Sequence, residues 1–150
     1  MRAVIQRVRK SVVSSGEEIL ASGGPGMMIL AGFEEADSAG DVEWLSNKII
    51  QLRIFNDENG IMNLSVRETG GDITVVSQFT LHARTKKGNR PSYIRAASPE
   101  KAIPLYEMFV SRLTELLGKP VGTGRFGAMM LVEIHNDGPV TIIIDTRDKE

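Results

Sequence analysis

The sequence has 150 residues, 41% of them hydrophobic, and a formal net charge of −1 at pH 7. These values fit one globular domain, residues 1–150, with its own core, and the balanced charge gives no sign of a DNA partner. The lack of cysteine excludes disulfides and thiol chemistry. No uncharged stretch is long enough to cross a membrane, and no signal peptide is evident, so we expect a cytoplasmic protein with no membrane partner.

The first third of the chain predicts short strands followed by one helix. The predicted strands are residues 1–8, 11–14, 17–21 and 27–33. The second and third form a hairpin around Ser15-Gly16, because two short runs separated by a turn dipeptide are typical of one. Residues 41–53 predict an amphipathic helix, because apolar residues recur every three or four positions between Val42 and Leu52.

Residues 72–82 predict a strand whose first half is buried and whose far end is polar. Successive side chains of a strand face opposite ways. Ser77, Phe79 and Leu81 would then share one face. Gln78, Thr80 and His82 would share the other. Polar groups fixed by a packed strand suit a functional site, and a strand running out into solvent explains them equally well.

The next segment, residues 83–95, is called the basic loop here. It carries five basic residues and no acidic one, and its Gly and Pro mark it as a loop. Arg84, Lys86, Lys87 and Arg90 are candidates to bind the phosphates of a short RNA segment. A solvated surface is the alternative. Phe79, Tyr93 and Phe126 are candidate stacking surfaces for a base, although each residue type is more often in a core.

The last part of the chain predicts a second helix and two strands. Ser98 and Pro99 are typical of a helix start, and Gly118 and Pro120 of its end. A strand through His135 and a strand over residues 140–145 flank the turn 136–139. Two main helices among several strands joined by short turns indicate an α+β fold with a curled, predominantly antiparallel β-sheet or barrel.

The residues provide no strong acid, base or metal site, and no cofactor is expected. The two histidines form no zinc-binding pair. Ser77, His82 and Asp137 could make a catalytic triad on paper, but no nucleophile elbow supports it. His82 is expected to be a solvated strand-end residue. Gly138-Pro139 has two interpretations: a hairpin turn, or a rigid cis peptide that forms a wall; about one in twenty X-Pro bonds is cis, which favours the turn.

The chain resembles the D-aminoacyl-tRNA deacylases of the bacterial and eukaryotic type along essentially its whole length. The most specific matches are Ser77-Gln78-Phe79-Thr80-Leu81 and Asn136-Asp137-Gly138-Pro139-Val140-Thr141, in this order and at this separation. Further matches are residues 1–8, 52–55, 89–92 and 126–129. Neither specific motif departs from the family pattern.

The resemblance implies a homodimer that hydrolyses the ester of a tRNA charged with a D-amino acid, or mischarged with glycine. Gly138-Pro139 of one subunit, with a cis peptide bond, would reach into the pocket of the other. A backbone wall against the α-carbon excludes every L side chain by clash, so it selects chirality without selecting the side chain.

The activated ester requires only positioning and an oxyanion site. With no convincing base in the sequence, we infer that the 2′-hydroxyl of the terminal adenosine assists the attacking water, while N–H groups around Phe79 and Thr80 hold the oxyanion. The alternative makes Thr80 a nucleophile, with His82 as the nearest base. Ser77 and Gln78 would orient the substrate, and Phe126 would contact the adenine.

Two rival functions remain open at this point. A non-catalytic module that binds the tRNA 3′ end predicts binding without turnover. A Ser/His hydrolase of small esters predicts complete loss of activity in Ser77→Ala.

Overall fold

The computed structural model describes residues 1–149, with eight strands, two α-helices and one short 3-10 helix. The strands are β1 (Arg2–Ser15), β2 (Glu18–Gly23), β3 (Gly26–Gly32), β4 (Phe55–Asn56), β5 (Met62–Leu64), β6 (Asp72–Ser77), β7 (Gly122–Thr123) and β8 (Leu131–Asp145). The α-helices are α1 (Ala39–Gln51) and α2 (Pro99–Leu117). The 3-10 helix, Phe79–His82, is called the site helix below.

Strand β1 organises the main sheet, because it is long enough to pair with three strands. Its first half pairs with β3 and its second half with β2, both antiparallel, while β8 runs antiparallel along its other edge. Strands β6 and β7 extend the sheet beyond β3 in parallel pairs. The predicted α+β class and the predominantly antiparallel sheet are thus confirmed.

The sheet curls until its two ends approach each other. A Cβ atom added to Gly122 of β7 would lie 3.2 Å from the Cβ of Ala21 in β2. The result is a nearly closed barrel with α1 and α2 packed outside it. Strand β3 is therefore covered on both faces: Met27 and Ile29 face the core shared with the helices, and Met28 faces the barrel interior. This is why its sequence is a continuous apolar run.

The helix boundaries agree closely with the sequence signals. Helix α1 begins two positions before the predicted start, where the Asp41 carboxylate accepts the backbone N–H of Ser38 at 2.9 Å. Helix α2 begins at Pro99 after Ser98, and Gly118 ends it in the left-handed region with φ +82°. Neither helix in the described part of the chain has the length and apolar character needed to cross a membrane.

The predicted strand over residues 72–82 is wrong beyond Ser77. The N–H of Gln78 still donates to the carbonyl of Ala31 at 2.7 Å, and the chain then turns into the site helix. Arg2 Nη1 donates to the carbonyl of Leu81 at 2.7 Å and fixes this turn. Ser77, Phe79 and Leu81 therefore do not form one face of a strand.

The predicted turn at residues 136–139 is also wrong. Strand β8 is continuous, but its register against β1 shifts: Gln6 faces Thr141, and Val8 faces Asn136. Residues 137–140 therefore stand opposite the single residue Arg7 and form a bulge, called the Gly–Pro bulge here. The glycine and proline suit a bulge as well as a turn.

Candidate active site

A cavity of about 340 Å³ lies where β6 ends. Its walls come from the ends of β3 and β6, the start of the site helix, the region around α2, and the segment before β8. The lining residues are Ala31, Phe33, Val76, Ser77, Gln78, Phe79, Ala97, Ala102, Phe126, Gly127, Ala128, Met129, Met130 and Val132. The mostly apolar wall with a few polar groups at one end is typical of a small-ligand site.

The polar end of the cavity is formed by the turn from β6 into the site helix. The side-chain amide of Gln78 donates a hydrogen bond to the hydroxyl of Thr80. The N–H groups of Phe79 and Thr80 open the first turn of this helix and make no hydrogen bond within residues 1–149. Free N–H groups at a helix start attract negative charge. The turn therefore offers main-chain donors for an anionic oxygen.

Two features fix the strand that carries this turn. The hydroxyl of Tyr106 in α2 donates to the carbonyl of Val75 at 3.0 Å, and burial raises the pKa of Tyr106 to about 12. At the other end, the Asp72 carboxylate binds Lys119 Nζ and the N–H of Gly24, each at 2.7 Å. The hydrogen bond from Lys119 lowers the pKa of Asp72. Strand β6 is thus anchored at its start and near its middle, before the residues that line the cavity.

His82 is buried, so the expectation of a solvated strand-end histidine is wrong. Its side chain is 1% exposed, and its Nδ1 lies 3.3 Å from Oε1 of Glu34. Its Nε2 has no hydrogen-bond partner within the described residues. Asp137 instead forms ion pairs with Arg7 and Arg9. The Ser77–His82–Asp137 triad is not assembled, and no nitrogen of His82 bonds to Thr80.

Phe126 lies in the cavity wall, where its ring tilts against Tyr106 with centroids 6.1 Å apart. The segment around it is held by local contacts: the N–H of Ala128 donates to the carbonyl of Arg125 at 3.1 Å, and the N–H of Arg125 points at the Met130 sulfur at 3.4 Å. An aromatic ring on a fixed wall can stack on a base.

The basic loop follows directly after the site helix. Arg84, Lys86, Lys87 and Arg90 are exposed. Arg84 and Ser92 exchange main-chain hydrogen bonds of 2.8 and 3.0 Å, which close the loop. Tyr93 meets the 56% exposed Phe79 edge to face, with ring centroids 5.1 Å apart. The loop therefore contacts the cavity wall through Tyr93, and none of its basic residues lines the cavity.

Gly138 and Pro139 lie outside the cavity of their own chain, on the exposed Gly–Pro bulge. Their peptide bond is cis, and Gly138 has φ +116°. Arg7 supports the bulge: its Nε lies 3.2 Å from the Asp137 carbonyl, and its Nη1 donates to the Ile54 carbonyl at 2.7 Å. The Asn136 amide ties the base of the bulge to the carbonyls of Arg7 and Val140.

The sequence interpretation did not assign a role to Arg7. The signal was present, because the alternation of β1 puts Arg7 on the same side as Ala3 and Ile5, which are both fully buried. An arginine on the same face of a strand as core residues is buried with them and requires polar partners there. Within residues 1–149, no group of three or more His, Asp or Glu side chains is placed to hold a metal ion.

Comparisons with known proteins give one consistent result. The family model described as D-Tyr-tRNA(Tyr) deacylase matches residues 4–145. Proteins named D-aminoacyl-tRNA deacylase from Bacteroides thetaiotaomicron and Akkermansia muciniphila are 58% and 59% identical over 150 residues, which is the full length of both chains in each pair.

Solved structures share the fold. A structure titled c-Myc DNA Unwinding Element Binding Protein is 38% identical, with a TM-score of 0.92 over 97% of this chain and 98% of its own. A probable eukaryotic D-amino acid tRNA deacylase is 17% identical, with a TM-score of 0.81 over 95% of this chain and 97% of its own. At that identity the second likeness supports the architecture alone.

Proposed function

The chain belongs to the D-Tyr-tRNA(Tyr) deacylase family, and we propose that its cavity hydrolyses the ester bond of D-aminoacyl-tRNA to free amino acid and tRNA. It is a hydrolase of the D-aminoacyl-tRNA deacylase type, as its relatives are named. The observation that carries the proposed site is the turn that ends β6: Phe79 lines the polar end of an apolar cavity, and its main-chain N–H and that of the adjacent Thr80 have no partner among residues 1–149.

The proposed reaction is attack by water on the ester carbonyl. Charge develops on the carbonyl oxygen in the transition state, and the N–H groups of Phe79 and Thr80 stabilise it there. Because the ester is already activated, positioning and this stabilisation supply most of the rate. Ser77 and Gln78 orient the aminoacyl group.

The 2′-hydroxyl of the terminal adenosine assists the water in this proposal. A threonine nucleophile needs an adjacent base. The hydroxyl of Thr80 has the Gln78 amide as its partner. His82 contacts Glu34 and not Thr80, so it does not serve as the adjacent base. These contacts favour RNA assistance over attack by Thr80.

Phe126 contacts the terminal adenine, and the basic loop binds tRNA phosphates through Arg84, Lys86, Lys87 and Arg90. Exposed positive charges with no acidic neighbour in the loop suit a phosphate backbone. Their effect should weaken as salt rises, because bound phosphates release counterions.

The active form is a homodimer in which Gly138 and Pro139 of the partner subunit close the pocket. Two observations support this part. The Gly–Pro bulge is exposed and lies outside its own cavity. Large apolar side chains on the same strand are also exposed, with Leu131 at 66% and Ile143 at 67%. The bulge rejects L-aminoacyl esters by clash and admits glycine, which has no side chain to reject.

The test is release of labelled amino acid from matched D-, L- and glycyl-tRNAs, each also prepared with a 2′-deoxy terminal adenosine. We expect rapid loss of the D- and glycyl esters, with L-esters spared and the deoxy esters stable. Normal cleavage of the deoxy substrates would contradict RNA assistance and favour Thr80 as nucleophile.

The rivals give different outcomes in the same assay. Binding of tRNA without any turnover would identify a module that binds the 3′ end. Cleavage of simple esters that is abolished in Ser77→Ala would indicate a Ser/His hydrolase. Because one structural relative is titled as a DNA-binding protein, duplex DNA at equal phosphate concentration serves as a competitor, and we expect it not to inhibit.

A further inference from the structure

One carboxylate joins the two ends of the basic loop. Oε1 of Glu34 lies 3.3 Å from Nδ1 of His82 and 3.0 Å from Nε of Arg95. His82 immediately precedes the loop, and Arg95 is its last residue. Glu34 therefore links the two ends of the basic loop, which carries the residues proposed to bind phosphate.

The carboxylate is fixed where it lies. Its side chain is only 13% exposed, and a carboxylate removed from water needs partners. The N–H of Glu34 donates to Asp37 Oδ2 at 2.7 Å. Its main chain also bridges to Ala96, just after the loop. A carboxylate held this way can fix the positions of the two side chains that it contacts, His82 and Arg95.

His82 extends this link to the cavity. It is the last residue of the site helix, whose first residue, Phe79, lines the polar end of the cavity. Its ring packs against β3 so closely that a Cβ added to Gly32 would lie 3.0 Å from Cδ2 of His82 and 2.8 Å from the Gln78 carbonyl. The site helix therefore cannot shift along β3 without moving this ring.

We propose that Glu34 and His82 are positioning residues that hold the basic loop at a fixed position relative to the site helix. A tRNA whose phosphates bind the loop then has its ester at the N–H groups of Phe79 and Thr80. This inference rests on the proposed function of the loop and the cavity, and it adds the link between them.

The first test compares Glu34→Gln on two substrates with the same ester bond: D-aminoacyl-tRNA and the D-aminoacyl ester of adenosine, which lacks the tRNA phosphates. We expect kcat/KM for the tRNA to fall roughly tenfold, the effect of losing one charge-assisted contact. The adenosine ester should be cleaved as by the unmodified protein, since it does not use the loop.

Glu35→Gln is the matched control. The neighbouring Glu35 is exposed, and its Oε1 accepts the N–H of Ser98, which glutamine also allows. We expect no change on either substrate. An equal loss on both substrates in Glu34→Gln would mean a general structural role, and no loss on either would mean no role; both results overturn the proposal.

Variants of His82 test the other side of the link. His82→Asn keeps a side-chain N–H near the position of Nδ1, so it should retain most of the preference for tRNA over the adenosine ester. His82→Leu removes the donor and should lose that preference as Glu34→Gln does. Equal behaviour of the two variants would contradict a role for the contact with Glu34.

A measurement on the free protein separates this proposal from the proposed function. In Glu34→Gln, hydrogen exchange of the Arg84 and Ser92 amides should accelerate about tenfold or more, because their main-chain pair loses its fixed base. Unchanged exchange would overturn the link even if every ester is cleaved as expected. If the unmodified protein cleaves neither ester, the proposed function fails, and the exchange result alone decides whether Glu34 holds the loop.

Discussion

Thr80 is the residue at which the two mechanisms differ most. Its hydroxyl accepts a hydrogen bond from the Gln78 amide, and no base among the described residues contacts it. Thr80→Val keeps the shape and removes the hydroxyl. We expect kcat for D-aminoacyl-tRNA to fall by less than about tenfold, the effect of one neutral hydrogen bond.

The control is Thr80→Ser, which keeps the hydroxyl and should be nearly unaffected. Single-turnover kinetics provide the measurement. A loss of roughly 10⁴-fold or more in Thr80→Val, with Thr80→Ser still active, is the result expected for a nucleophile, and it would contradict RNA assistance.

Arg7 and Arg9 contact the same carboxylate and give a matched pair of variants. The side chain of Arg7 is 10% exposed, and that of Arg9 is 81% exposed. Arg7→Gln should lower the free energy of unfolding by about 2–3 kcal/mol, because it breaks a buried charged network. Arg9→Gln should lower it by at most about 0.5 kcal/mol. Urea denaturation measures both.

The contact of Arg7 with the Gly–Pro bulge also predicts an effect on the selectivity for D- over L-aminoacyl esters. Since its side chain holds the Gly–Pro bulge, Arg7→Gln should raise cleavage of L-aminoacyl-tRNA relative to the D-ester, whereas Arg9→Gln should not. An unchanged ratio in a folded Arg7→Gln protein would mean that the bulge keeps its position without Arg7.

At the scale of elements, the contact between α2 and β6 gives a prediction for alkaline pH. Burial raises the pKa of Tyr106 to about 12, against about 10 in an unfolded chain. Below pH 10 the phenol is protonated in both states, so its stabilising effect is fully present. Between pH 10 and 12 the unfolded state loses its proton first, and the stabilisation is lost.

Tyr106→Phe isolates this effect. At pH 7 the variant should be less stable by about 1 kcal/mol, because the Val75 carbonyl loses the Tyr106 donor and keeps only the longer hydrogen bond from the Gly124 N–H, at 3.3 Å. The difference between the two proteins should shrink or reverse as the pH rises from 10 to 12. Denaturant unfolding at several pH values measures it, and a constant difference would show that Tyr106 does not titrate with folding.

The helices were readable from the sequence because their signals are local. Ser98, Pro99 and Gly118 lie at the two ends of α2 and act within one helical turn. All three have the expected roles. The site helix lacks such signals: no glycine or proline interrupts residues 72–82. Its turn depends on Arg2 and Ala31, which are distant in sequence.

The candidate site was only partly readable for the same reason. The sequence placed Ser77, Gln78 and Phe79 together, and the structure adds Phe126 to the same cavity. The burial of His82 depends on Glu34, and the bulge depends on Arg7, so neither follows from neighbouring residues. Asp, Gly and Pro are common to turns and bulges, and only the pairing with β1 distinguishes the two.

At the scale of the whole molecule, the proposed homodimer predicts that the subunits complement each other. Ala128→Trp should fill the cavity and abolish activity while leaving the Gly–Pro bulge intact. Pro139→Gly should leave the cavity intact but weaken the wall, so that L-esters are cleaved. In a mixed dimer, the intact cavity meets the intact wall.

Adding excess Ala128→Trp protein to Pro139→Gly protein should therefore suppress L-ester cleavage and retain D-ester cleavage. The unmodified chain in place of Ala128→Trp provides a control for exchange of subunits, and size-exclusion chromatography shows the dimer. An L/D ratio that does not change on mixing would mean that each chain rejects L-esters by itself.

The donors at the polar end of the cavity are main-chain atoms, and this affects what genetics can detect. Every residue except proline carries the same N–H group, so substituting alanine at position 79 or 80 leaves the donor in place. An alanine scan would score these positions by their side chains alone and overlook the proposed oxyanion site. Proline at position 79 or 80 is the only genetically encoded change that deletes the donor, so only the proline variants test the N–H groups separately from the side chains.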